Sequence, residues 1–165
     1  MADGIEVEQI QIIESRPKKM PMVTSMDRET IREAYEDVRS NLTDTEWAVF
    51  KFESSEIVCA AKGIGFEDFQ QQFMDDERAF GYIRIQMGDE MSKRSKFLFL
   101  TWIGCDVGVM QRAKMSTDKS IMKEVISNFA AELQIECEAD MDLIYFKEVL
   151  QKAQGANYGT GIREI

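Results

Sequence analysis

Seven cations fall within residues 93–123: Lys93, Arg94, Lys96, Arg112, Lys114, Lys119 and Lys123. Only two acids, Asp106 and Asp118, accompany them. Basic side chains at this density break no bonds of their own; they pair with anions on an acidic protein, a nucleic acid or a lipid headgroup. The segment carries a local balance of +5 in a chain of net charge −10, leaving −15 for the remaining residues. That overall charge disfavours nonspecific attraction to nucleic acid or anionic lipid unless the basic residues are segregated, so their placement is the question the sequence poses. An ordinary solvated face explains a basic helix edge as well, so the pattern alone does not decide function.

Other reactive groupings are weak. The chain has no histidine, which removes Ser-His and Cys-His nucleophile pairs and every histidine-containing metal site. Cys59, Cys105 and Cys137 lie 46 and 32 positions apart, not at the spacing of zinc or thioredoxin-like sites, and they read as reduced thiols. The carboxylate pair Asp75-Asp76 is accompanied by no nucleophile–base set, phosphate loop or metal-ligand spacing. The expectation is a protein that is not an enzyme and uses no cofactor or metal. Among eleven methionines most read as core filler; Met115, beside the basic positions, is the one candidate apolar contact.

The elements that must position these cations follow from periodicity. A chain of 165 residues with 44% hydrophobic content is one domain. No basic leader with an apolar core and no window of eighteen apolar residues occurs, which reads as a soluble cytoplasmic protein. Residues 1–22 hold both prolines and read as a mobile extension. Thr24 and Asp27 resemble a capping box ahead of a helix over 27–42. Two β-prone runs, 47–52 and 57–61, flank a hairpin connection, and Phe66, Phe69 and Phe73 mark a short helix. Residues 79–87 and 96–103 read as antiparallel strands joined by a polar tip, the second so continuously apolar that helices must cover both its faces.

A long helix is expected from about Gln111 to Glu132, on which Arg112, Lys119 and Lys123 fall within about 40° of one another. A strand over 133–137 and a helix from Leu143 to Ala153 follow, and the glycines of 155–161 mark a loose tail. The fold class is α/β (α+β), a mostly antiparallel sheet between helices, with the domain spanning 23–154 and a tail over 155–165. If the long helix packs back over the strands, the tip at 93–96 and the helix edge join into one acceptor surface.

Several ordered motifs are familiar: MSKRSKF at 91–97, TWIG at 101–104, QRAK at 111–114, TDK at 117–119, KEV at 123–125, NFA at 128–130 and GANY at 155–158. Together they resemble the coactosin family of the actin-depolymerising-factor homology domains, over about Asp27 to Tyr158. The resemblance implies a central mixed sheet between helices and a monomer that binds along the side of filamentous actin. It also implies little affinity for monomeric actin, no severing, and a place in the cytoplasm and cytoskeleton. By motif, the actin-binding candidates are Lys93, Arg94, Lys96, Arg112, Lys114, Met115, Lys119, Lys123 and Lys152, with Lys96 leading. For Lys152, favourable charge at a helix C-terminus is an equal reading. A cofilin-like severing factor, and an adaptor with weak phosphoinositide binding through the same surface, are the alternatives. Cys105 stands where relatives usually carry an acid and is expected to be a small buried thiol. The role of the extension is open.

Overall fold

The computed structural model describes residues 23–89 and 91–164. Along the chain run β1 (Ser25–Met26), α1 (Arg28–Arg39), β2 (Trp47–Glu53), β3 (Glu56–Gly63) and α2 (Phe66–Gln70). They are followed by β4 (Arg78–Met87), β5 (Arg94–Ile103), α3 (Val109–Met122), β6 (Ala131–Ile135), a single 3-10 turn at Glu138–Asp140, and α4 (Leu143–Glu164). The strands form one sheet in the order β1-β3-β2-β4-β5-β6. Its four central strands pair antiparallel, and the edge strands β1 and β6 pair parallel with β3 and β5. The sheet is therefore mixed and mostly antiparallel, as expected.

Each central strand sends alternate residues into two cores. From β5, Leu98, Leu100 and Trp102 enter one core, with Phe69 of α2 and Phe146 and Leu150 of α4. Phe97, Phe99 and Ile103 enter or pack against the other, with Ile31, Ala34 and Val38 of α1 and Met115 and Met122 of α3. Burial on both faces accounts for the unbroken apolar run in β5. Stacked rings stitch the second core, Phe80 to Phe99 at 5.8 Å and Tyr82 to Phe97 at 5.5 Å across β4 and β5, and Phe99 to Phe129, between α3 and β6, at 5.4 Å.

Some expected boundaries move. Asp27, not Thr24, caps α1, its Oδ1 accepting from the Thr30 N–H at 3.4 Å. Thr24 instead leads into β1, where Ser25 pairs with Glu56. The long helix ends at Met122, a decade before Glu132, in a tight turn where the Glu124 and Val125 N–H groups donate to the carbonyls of Ile121 and Met122. The reason is topological. A strand parallel to β5 requires the chain to return along it, so residues 123–130 serve as the connection, with Val125 and Ile126 turned inward. The strand accordingly lies at 131–135 and not 133–137. The backbone of α4 continues through 155–161, the stretch marked as a tail. The extension at 1–22 lies outside the described residues.

Helix α3 is fixed to the sheet by a buried ion pair. Arg78 Nη1 donates to Asp118 Oδ2 at 2.5 Å, with the two side chains 9% and 1% exposed. The guanidinium also lies 3.8 Å from the centroid of Phe52. Removing one partner of such a pair strands the other charge in the interior. Asp118→Ala should therefore lower folding stability by about 3 kcal/mol in urea denaturation; a loss within error of zero would show that the pair does not hold the helix.

Candidate filament-binding surface

The β4–β5 turn is built by local backbone chemistry. Gly88 has a φ of 90°, and a Cβ on it would lie 2.0 Å from the Ser92 carbonyl oxygen, so the chain can turn back here only through glycine. Asp89 then accepts the Met91 N–H on its Oδ1 at 3.0 Å, and the Ser92 N–H donates to the Asp89 carbonyl at 3.2 Å. Ser95 Oγ and Gln86 Oε1 close the ladder at 3.0 Å. This turn leaves Lys93 and Arg94 exposed and Lys96 half-buried. None of the three forms an ion pair among the described residues.

Register decides which way the strand-borne cations face. Lys96 sits opposite Ile85, and Arg94 opposite Met87. Both partners belong to the core under α2 and α4, and directly opposed residues share a face. Arg94 and Lys96 therefore stand on the α4 side. Helix α4 begins at an Asp142 cap, whose Oδ2 accepts the Tyr145 N–H at 3.0 Å. It is held down by Phe146 and Leu150, and a cleft of about 330 Å³ separates Met87 and Gly88 from Ile144, Lys147 and Gln151. Lys152 follows one residue later and is exposed. Because α4 continues past it to Glu164, the C-terminal-charge explanation of Lys152 does not apply.

The cations of α3 are arranged differently. Glu132 of β6 sits opposite Phe99, on the face of α3. It takes Lys123 Nζ on one carboxylate oxygen at 2.5 Å and Lys119 Nζ on the other at 3.6 Å. Arg112 pairs with Glu136 and donates to the Gly104 carbonyl at 3.3 Å. Gly104 lies eight positions along the strand from Lys96, about 26 Å at ~3.3 Å per residue. Lys114 is half-buried beside Thr24 and Asp118.

Two expectations are corrected by this geometry. The tip and the α3 edge do not merge, because Arg94 and Lys96 face α4 while Lys119 and Lys123 lie across the sheet. Met115 is 2% exposed, packed beneath α3 beside Arg78, and offers no apolar contact to a partner. Exposed apolar side chains stand elsewhere near the tip: Met91 at 94% and Ile144 at 69%. Ile144 was detectable, since it lies 200° from Phe146 on a helical wheel and so opposite the core stripe.

Cys105 is exposed, not buried. Its thiol is pushed up by desolvation and then by the neighbouring carboxylates of Asp75 and Asp106, which makes it a poor nucleophile at neutral pH.

The sequence model of the cofilin/tropomyosin-type actin-binding proteins matches residues 23–151. A Bos taurus coactosin-like protein is 45% identical over 137 residues, covering 83% of this chain and 96% of the relative. The chain belongs to the coactosins. Crystal structures of the human coactosin-like protein superpose with a TM-score of 0.76 at 42% identity, over 79% of this chain and 99% of theirs. The solution structure of mouse coactosin, described as an actin filament binding protein, gives a TM-score of 0.70 at 42% identity over 85% and 99%.

The turn geometry carries its own test. Gly88→Ala should cost about 1–2 kcal/mol for the left-handed backbone, more for the clash with Ser92, and should move amide resonances chiefly in 86–96. Unchanged stability and spectra would mean the tip is not set by this glycine.

Proposed function

We propose that this chain binds along the side of filamentous actin in the cytoskeleton, through the β4–β5 tip and the adjoining surface of α4, without severing filaments or sequestering monomers. Lys93, Arg94, Lys96 and Lys152 are the contacts, with Lys96 foremost because its side chain is half-buried and so loses less freedom on docking than the exposed Lys93, Arg94 and Lys152. The observation that carries this reading is a cluster of tip cations with no acid among the described residues paired to them, while Arg112, Lys119 and Lys123 at the α3 edge are already engaged.

Magnitudes decide what else is needed. Exposed ion pairs contribute about 0.2–1 kcal/mol each, so four supply at most about 4 kcal/mol, whereas micromolar affinity corresponds to about 8 kcal/mol. Burying Met91 and Ile144 adds about 1.5–3 kcal/mol each if complete. The electrostatic share steers docking and is screened by salt; the apolar share is not.

Cosedimentation with filaments at two salt concentrations tests this. Pelleting should weaken as salt rises. Lys96→Ala should reduce affinity most among single lysine variants, by about five-fold, and a Lys96→Ala, Lys152→Ala pair further still, while Arg112→Ala and Lys119→Ala change little. Wild-type pelleting by the Lys96, Lys152 double variant would refute the site, and filament cutting under fluorescence microscopy would refute the non-severing role.

A further inference from the structure

Strand β6 alternates sharply: Leu133 and Ile135 pack toward α4, while Glu132, Gln134 and Glu136 have the opposite parity, toward α3. The two acids are placed, not scattered. Glu132 divides its oxygens between Lys123 and Lys119, at 2.5 and 3.6 Å. Glu136 pairs with Arg112 through one oxygen and accepts from Gln134 Nε2 at 2.9 Å on the other, which fixes the carboxylate toward the helix. Lys123 is further held over the Phe129 ring at 5.8 Å. The three cations remain 28–35% exposed, so they are engaged by the two acids without being buried.

We infer that Glu132 and Glu136 are specificity-determining residues that weaken the attraction of α3 for acidic protein surfaces and so favour binding at the tip face. The two carboxylates engage Arg112, Lys119 and Lys123 and lower the charge of these three cations and Lys114 together from +4 to +2. The partner disfavoured is an acidic globular protein that would otherwise dock on the α3 face, for which monomeric actin is the relevant case; this deepens, and rests on, the filament reading above.

The test compares the wild type, Glu132→Gln with Glu136→Gln, and Glu53→Gln with Glu56→Gln. The last pair are exposed glutamates at the β2–β3 hairpin, which give the same change in net charge without engaging Arg112, Lys119 or Lys123. Binding to labelled monomeric actin is read by fluorescence anisotropy at low and high salt, with filament pelleting in parallel. The β6 variant should bind monomer about five-fold tighter than both other proteins at low salt, lose that advantage at high salt, and lose it again when Lys119→Ala and Lys123→Ala are added. A gain no larger than that of the hairpin variant, or one that survives loss of the two lysines, overturns the inference. Failure of the wild type to pellet with filaments would instead overturn the filament reading.

Discussion

Side-chain parity along β5 governs this molecule. A strand that is buried on both faces must send alternate residues into separate cores, and Leu98, Leu100 and Trp102 are committed to one while Phe97, Phe99 and Ile103 are committed to the other. Nothing upstream on the same strand escapes that commitment. Lys96 and Arg94, in phase with Leu98, must stand on the α4 side, and a shift of one residue would turn both toward α3 while inverting the core. The position of the basic tip is thus fixed by apolar burial several residues away, not by the charges themselves.

Electrostatics then separates cations that are available from cations that are spent. Of the sixteen basic side chains described, seven find an acid, among them Arg28 with Glu124, Lys51 with Glu77 and Lys62 with Asp37. Arg112, Lys119 and Lys123 do so through Glu132 and Glu136, and the buried Arg78–Asp118 pair holds α3 in place. The tip cations belong to the group that does not. The tip loop contributes Met91 and α4 contributes Ile144, so exposed apolar side chains stand beside these cations, with Asp89 in the turn and Glu148 in the adjoining cleft.

Much of this was legible in the sequence, and what was not failed for physical reasons. The order of elements after β1, the β2–β3 hairpin, the antiparallel β4–β5 pair and the sandwiched β5 all follow from local periodicity and turn residues; β1, two residues long, carries no periodicity to read. The end of α3 did not, because residues 123–130 keep helix-compatible residue types and only the need to return beside β5 breaks the helix. Met115 was misplaced because proximity to Arg112 and Lys119 in sequence says nothing of its angle against a core that had not yet been located. The separation of tip and helix edge required the register of β5, and register depends on partners from β4 and β6. The acids of β6 were in view as an alternation around Leu133 and Ile135, but their pairing with α3 becomes visible only once the crossover is known.

Lysine reactivity footprinting tests the central claim most directly. With acetylation of the free protein and of the protein bound to saturating filaments read side by side, Lys93, Lys96 and Lys152 should be protected on binding, while Lys119 and Lys123 keep their free-state reactivity. Protection of Lys114, Lys119 and Lys123 with an unchanged tip would contradict the account and place the filament on the other face of the sheet.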